Sequence, residues 1–174
     1  MKRARRTAAA LLVLGWAAGS ATAMELTSRD IKQDMPIPDA FTCEGSDISP
    51  QLAWKDVPEG VESFVLICDD PDAPAGTWVH WVVYNIPADV RELAPGAPAS
   101  ERWGDGTRQG MTDFGRVGYG GPCPPPGKPH RYYFTLYALD ARLSLERPVR
   151  KEEVVKALQP HLLGKAVLMG TYQR

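Results

Sequence analysis

The chain has 174 residues, of which 44% are hydrophobic, and carries 20 Lys and Arg against 21 Asp and Glu. This length suits one domain with a hydrophobic core, and the sequence contains no internal repeat. The absence of a basic excess argues against a nucleic-acid partner, which would require a basic face.

The first 23 residues have the pattern of a secretory signal peptide. Four basic residues at positions 2–6 precede an apolar run at residues 8–18, and Ala21-Thr22-Ala23 follows as a cleavage site. A membrane anchor is less favoured, because the run is short for a bilayer span. We therefore expect cleavage after Ala23, a periplasmic location, and one domain at residues 24–174 without a membrane span. That domain keeps 16 basic and 21 acidic residues, a net charge of −5.

Four stretches have the composition of β-strands: residues 64–68, 78–86, 132–139 and 166–172. In the last, Gly170 indicates a weak point or bulge. Strict alternation along residues 78–86 predicts one face with His80, Val82, Tyr84 and Ile86, and an opposite face with Val79, Trp81, Val83 and Asn85.

One helix is predicted at residues 151–158, where Val154, Val155 and Leu158 form an apolar side and acidic residues lie in the first turn. Pro160 should end or kink this helix. Strands separated by turns predict a mostly β domain, a sandwich with one or two small peripheral helices.

The three cysteines allow at most one internal disulfide in an oxidising compartment. Cys68 lies in the buried run at residues 64–68, whereas Cys43 and Cys123 lie in predicted loops and form the better pair. Three unrelated thiols remain the alternative. The spacing contains no C-x-x-C pair, which argues against a structural zinc site.

Two loops and two histidines carry the candidate chemistry. Directly after the buried strand, Asp70 precedes Pro71, and Asp72 lies between Pro71 and Pro74. The Gly/Pro-rich loop at residues 120–129 leads into His130. His80 lies within an aromatic strand. Taken singly, the aspartates could form a polar turn and the histidines could be satisfied core residues. Together they predict a pocket for a small anion, and a metal site made of the same residues is less favoured.

These motifs resemble the phosphatidylethanolamine-binding protein family, which includes the Raf kinase inhibitor protein, and within it the bacterial YbhB/YbcL-like branch. The resemblance rests on D-P-D-A-P, then W-x-H-W, then G-Y-G-G-P-C-P-P-P-G and H-R-Y-x-F, and covers nearly all of the mature chain. It implies an antiparallel β-sandwich with a small anion-binding pocket. It also implies Asp70, Trp78, His80, His130 and Tyr132 as ligand-binding residues, with the Gly/Pro loop at Gly121, Pro122 and Cys123 supplying backbone N–H at the pocket rim. Asp72 joins this predicted set because it lies two residues from Asp70, so both side chains could point the same way in an extended chain.

Three functions remain open at this point. A phosphate-type or head-group-binding module, acting by regulation or sequestration, is favoured because no nucleophile or metal-ligand set is recognisable. A small-molecule hydrolase would use Asp70 and a histidine as its acid–base pair. A protease inhibitor, like the yeast carboxypeptidase-inhibiting members of the family, would instead act through its surface. We expect no cofactor, and the sequence names no protein partner.

Overall fold

The computed structural model describes residues 23–174, so all of the predicted signal segment (residues 1–23) except Ala23 lies outside the described part of the chain. The strands in chain order are β1 (Glu25–Thr27), β2 (Leu52–Lys55), β3 (Ser63–Asp70), β4 (Trp78–Pro87), β5 (Glu92–Leu93), β6 (Arg108–Gln109), β7 (His130–Leu139) and β8 (Leu162–Tyr172). One α-helix, α1 (Lys151–Leu158), and two short 3-10 helices, Asp39–Phe41 and Gln159–His161, complete the described elements.

The strands form two antiparallel sheets. One has three strands in the order β1-β2-β5, and the other has five in the order β6-β4-β3-β7-β8. The prediction of a mostly β, antiparallel sandwich with small peripheral helices is confirmed. In residues 23–174, no helix has both the length and the apolar character needed to cross a bilayer.

The five-stranded sheet separates two hydrophobic cores. Between the sheets, Trp54 of β2 packs edge-on against Phe64 of β3, at 5.3 Å between ring centroids. On the other face, Val154 and Leu158 of α1 are fully buried against the sheet. Because both faces of β3 are covered, this strand is a continuous apolar run and not an alternating one.

Helix α1 has the predicted bounds. Glu152 and Glu153 lie in its first turn, where acidic side chains interact favourably with the helix dipole. At its other end Pro160 cannot continue the α-helical hydrogen bonds, and the chain passes into the 3-10 helix Gln159–His161 before β8.

Strand β4 contradicts the prediction of strict alternation. The register passes from Cys68↔Trp81 to Asp69↔Val79, so His80 is an additional residue opposite the shorter stretch of β3. A second register shift, between Leu66↔Val83 and Phe64↔Ile86, moves Ile86 to the face of Trp81 and Val83 in the core between the sheets, whereas Val82 and Tyr84 belong to the core under α1. Such bulges redirect side chains, and the one at His80 brings its ring against Tyr132 of β7, at 5.2 Å between centroids.

The observed strand pairing differs from two further predictions. Strand β3 does not end at Cys68 but includes Asp69 and Asp70, because both pair with β4. Gly170 is not a bulge, since it pairs regularly with Tyr132. A Cβ atom at Gly170 would lie 2.6 Å from Cγ1 of Ile37, so the glycine permits the close approach of a core side chain.

Cys43 and Cys123 form a disulfide, as predicted, with Cα atoms 5.4 Å apart. Cys68 is free and buried. The bridge joins the Gly/Pro loop to the loop at residues 41–47, and the Cys43 N–H donates to the Pro122 carbonyl beside it at 3.1 Å.

Candidate functional site

A cavity of about 210 Å³ opens at one end of the five-stranded sheet. Strand β3 ends there at Asp70, while β4 and β7 begin there at Trp78 and His130. Antiparallel pairing therefore brings together residues that are distant in sequence. The cavity is lined by Asp70, Ala73, Pro74, Trp78, His80, Phe114, Cys123, Pro124, Pro125, His130 and Tyr132.

Asp70 and His130 form a buried pair at the base of the cavity. Asp70 Oδ2 lies 2.7 Å from His130 Nδ1, and the residues are 3% and 5% exposed. A carboxylate oxygen only accepts, so the hydrogen lies on Nδ1. Among the described residues His130 Nε2 has no hydrogen-bond partner, which leaves this atom for a ligand.

His80 is oriented in the same way by a backbone group. Its Nδ1 donates to the Gly120 carbonyl at 2.6 Å, and its ring packs edge-on between Phe114 and Tyr132. Burial lowers the pKa of His80, and the hydrogen bond to Gly120 and the charge of Asp70 oppose this shift only in part. His80 Nε2 also lacks a hydrogen-bond partner within the described chain.

The Tyr132 hydroxyl is the third group of the cavity that remains for a ligand, after the Nε2 atoms of His80 and His130. The residue is fully buried, and its hydroxyl has no hydrogen-bond partner in the described chain. Burial raises the pKa of Tyr132, and the nearby negative charge of Asp70 raises it further, so the hydroxyl stays protonated. A buried hydroxyl without a partner is costly in free energy, and a ligand acceptor would remove that cost.

Apolar side chains form the remaining walls. Trp78 and Phe114 meet edge-on with centroids 5.6 Å apart, and Pro74, Pro124 and Pro125 lie around them. The cavity therefore combines polar donors at its base with an apolar entrance.

Comparison with known proteins identifies the family of this chain. The model of the family described as phosphatidylethanolamine-binding protein matches residues 27–173. The chain belongs to the phosphatidylethanolamine-binding protein family.

Its relatives include proteins known only as UPF0098. The chain is 51% identical over 138 residues to one from Methanothermobacter thermautotrophicus, covering 79% of this chain and 91% of the relative. It is 49% identical over 153 residues to another from Aquifex aeolicus, covering 87% and 89% respectively.

Two solved structures are similar over nearly the whole domain. The phosphatidylethanolamine-binding protein homologue CT736 from Chlamydia trachomatis superposes with a TM-score of 0.80 at 44% identity, covering 87% of this chain and 98% of that one. E. coli YbcL, described as a member of the mammalian family, also has a TM-score of 0.80, at 35% identity, with 88% and 99% covered.

In this family member, three of the predicted ligand-binding residues do not line the cavity: Asp72, Gly121 and Pro122. Asp72 makes a bidentate pair with Arg131, with distances of 2.8 and 2.7 Å, and the hydrogen bond to Arg131 lowers the pKa of Asp72 to about 2. The Asp72 N–H donates to Asp70 Oδ1 at 2.8 Å, so Asp72 helps to hold the Asp70 carboxylate without lining the cavity itself.

Two of the three positions from Gly121 to Cys123, where the resemblance implied N–H groups at the pocket rim, offer no free N–H to a ligand. The Gly121 N–H donates to Asp47 Oδ1 at 2.6 Å, and Pro122 has no N–H. The loop acts instead through the Gly120 carbonyl on His80 and through Cys123, which lines the cavity.

Five cavity residues were not predicted: Ala73, Pro74, Phe114, Pro124 and Pro125. Four of them lie in the two loops that were singled out, and Phe114 is the one that lies elsewhere in the sequence. It stands in D-F-G, a motif without the accompanying features of a kinase, and no spacing relates it to Trp78 or His80. Asp113 beside it accepts the Val79 N–H at 2.8 Å, which fixes Phe114 against β4. Within residues 23–174, no group of three or more His, Cys, Asp or Glu residues could hold a metal ion.

Proposed function

We propose that this protein is an exported binding module for a small phosphate-type anion, free or as part of a phospholipid head group, and that it acts by sequestration or regulation. One observation carries the proposal. Two imidazole rings, His80 and His130, each have Nδ1 engaged by a protein acceptor, so that both Nε2 atoms remain for a ligand in one cavity.

An anionic ligand must be bound by other groups than Asp70, whose negative charge would repel it. The two carboxylate oxygens of Asp70 accept hydrogen bonds from His130 Nδ1 and from the Asp72 N–H. The carboxylate is therefore directed at protein donors, and the groups left for a ligand are the histidine Nε2 atoms and the Tyr132 hydroxyl, which can donate to phosphate oxygens.

The dimensions of the cavity favour a small ligand. A volume of about 210 Å³ is below the range of about 300–1,000 Å³ that drug-sized ligands occupy. A phosphate group fits this space, and the apolar entrance leaves room for a short organic substituent beyond it.

Isothermal titration calorimetry with inorganic phosphate, phosphoethanolamine and sulfate at pH 5.5 and pH 8 tests the proposal. Binding should strengthen at the lower pH, because protonated histidines attract the anion. Sulfate keeps its charge across this range, so the pH dependence of its affinity reports on the protein alone.

The matched variants are His130→Ala, His80→Ala and His161→Ala. We expect the first two to weaken sulfate binding by about tenfold or more, as for a lost charge-assisted hydrogen bond. His161 lies outside the cavity, paired with Asp140 at 2.9 Å, and its removal should leave affinity unchanged. Equal affinity in all four proteins would rule out the anion site.

Hydrolysis is the second candidate, and the Asp70–His130 hydrogen bond is the observation that favours it. A carboxylate that orients a histidine is the geometry of a general base. Phosphatase and esterase assays of the mature protein, with His130→Ala as the control, would detect this activity. A carboxypeptidase-inhibition assay in the same series tests the protease-inhibitor alternative.

Export to the periplasm is part of the proposal. The Cys43–Cys123 disulfide supports it, because such bridges persist in oxidising compartments. N-terminal sequencing of the protein from the periplasmic fraction should begin at Met24, whereas an intact Met1 would contradict cleavage after Ala23.

A further inference from the structure

The hydrogen-bond acceptor of His80 Nδ1 belongs to the Gly120–Gly121 peptide group. The Gly120 carbonyl accepts from His80 Nδ1, and the N–H of the same peptide group, which belongs to Gly121, donates to Asp47 Oδ1. Both distances are 2.6 Å. Because a peptide group is planar, its N–H and C=O directions are linked. The carboxylate that holds the N–H therefore also aims the carbonyl.

We propose that Asp47 is a positioning residue of the anion site, which orients the Gly120–Gly121 peptide plane and, through it, the His80 ring. This inference rests on the proposed function of the cavity. Asp47 itself does not line the cavity, and it would act on a ligand only through His80.

Packing of residues 41–47 against the peptide group supports this role. A Cβ atom at Gly121 would lie 2.4 Å from the Phe41 carbonyl oxygen and 2.8 Å from the Thr42 Cα, so this position admits only glycine. Gly121 is buried, and its N–H would be costly to leave without an acceptor.

Arg116 lies near the other oxygen of the Asp47 carboxylate, in a loose ion pair at the surface. Its Nη2 lies 3.8 Å from Asp47 Oδ2, and its Nη1 donates to the Tyr119 carbonyl at 3.0 Å. The same guanidinium lies 5.7 Å from the centroid of the Phe114 ring, which forms a wall of the cavity. Through Arg116, Asp47 is thus connected to the Tyr119 backbone and to the Phe114 wall of the cavity.

The backbone of Asp47 decides which variants are informative. Its φ of 52° is in the left-handed region, which glycine, asparagine and aspartate tolerate best. Asp47→Gly removes the carboxylate without backbone strain, and Asp47→Asn retains an oxygen acceptor for the Gly121 N–H. Asp56 has a similar φ of 54° on an exposed turn, so Asp56→Gly is the matched control.

The experiment is ¹⁵N NMR of the imidazole rings at pH 8, combined with calorimetric titration of sulfate at pH 5.5. Three histidines in the chain make assignment by single substitution practical. The wild-type protein and Asp47→Asn should show the Nδ1–H tautomer at His80. In Asp47→Gly, His80 should become a mixture of tautomers and sulfate should bind about tenfold more weakly, while His130, held by Asp70, keeps its tautomer.

Asp56→Gly should match the wild-type protein in both measurements. A fixed His80 tautomer together with unchanged affinity in Asp47→Gly would overturn the proposal. Amide exchange of wild-type Gly121 gives a reading that does not depend on the folding of any variant: we expect slow exchange, and a rapidly exchanging amide would overturn the role of Asp47. If the wild-type protein binds no anion, the proposed function fails, but the tautomer and exchange data still decide whether Asp47 orients His80.

Discussion

At the scale of single residues, the site contains polar side chains whose hydrogen-bonding groups the protein satisfies only in part or not at all. His80 and His130 each use Nδ1 within the fold, and the Tyr132 hydroxyl has no partner in the described chain. Buried polar groups are normally paired. Three such groups around one cavity therefore indicate a place where the protein supplies part of a hydrogen-bond network and a ligand supplies the rest.

The first prediction separates binding from stability at Tyr132. Tyr132→Phe removes a buried hydroxyl without a partner, so the free energy of unfolding should stay unchanged or rise by up to about 1 kcal/mol. Affinity for sulfate should fall about fivefold or more, because one donor is lost. Urea denaturation and calorimetric titration of the same samples measure both. A large loss of stability would mean that the hydroxyl has a structural partner.

The second prediction concerns pH and His80. Burial lowers the pKa of His80 in the folded protein, so the unfolded chain binds more protons as the pH falls below about 6.5. The stability present above that pH should therefore be lost progressively at lower pH. Urea denaturation in a phosphate-free buffer between pH 8 and pH 5 should show a smaller loss for His80→Gln than for the wild-type protein. Identical pH profiles would exclude His80 as a source of the effect.

At the scale of secondary-structure elements, irregularities of the sheet shape the site. In a strictly alternating strand, the neighbours His80 and Trp81 would face opposite sides of the sheet. The additional residue in β4 breaks this alternation and brings the His80 ring against Tyr132, while Trp81 stays buried between the sheets. Gly170 in β8 is paired regularly, and its missing side chain makes room for Ile37. In this sheet the bulge at His80 directs side chains, whereas the glycine at position 170 permits close packing.

The third prediction belongs to β8. Gly170→Ala places a Cβ atom 2.6 Å from Ile37 Cγ1 and 3.1 Å from Ile31 Cγ2. Overpacking of this kind should lower the free energy of unfolding by about 1–3 kcal/mol. At Gly104, a Cβ atom would meet nothing within 4 Å, so Gly104→Ala is the control and should be close to neutral. Equal stability of the two variants in urea denaturation would show that Ile37 has room to move.

At the scale of the whole molecule, the Cys43–Cys123 bridge links residues 80 apart in sequence. It holds the Gly/Pro loop against residues 41–47, and Cys123 itself lines the cavity. The same covalent link thus contributes to global stability and to the boundary of the site.

The fourth prediction is the effect of removing this bridge. A loop of this length corresponds to about 4–5 kcal/mol by chain entropy, so Cys43→Ser/Cys123→Ser should lower the urea midpoint strongly. Sulfate affinity should also fall, because the Cys123 wall of the cavity is released. Alkylation of the wild-type protein in denaturant without reductant should label Cys68 alone. Labelling of all three cysteines would show that no bridge forms.

Much of this protein could be predicted from local pattern. Residues 151–158 form a helix with Pro160 beyond it, and the β-rich runs form strands, because apolar periodicity and proline act over a few residues. The cysteine pair followed from the burial of Cys68 in an apolar run. The sequence motifs also predicted Asp70, His80 and His130 as parts of one pocket, and the structure places all three around one cavity.

Other features depended on tertiary pairing. The bulge at His80 arises because β4 has one residue more than β3 between the pairs Cys68↔Trp81 and Asp69↔Val79. The sequence of either strand taken alone does not show this difference. Asp72 and the Gly121 N–H are engaged by Arg131 and Asp47, and Phe114 reaches the cavity from a loop more than thirty residues beyond Trp78. Sequence by itself determined which residue types and which elements are present. Tertiary structure decided which polar groups are already satisfied by the protein, because a hydrogen bond depends on the position of a partner far away in the chain.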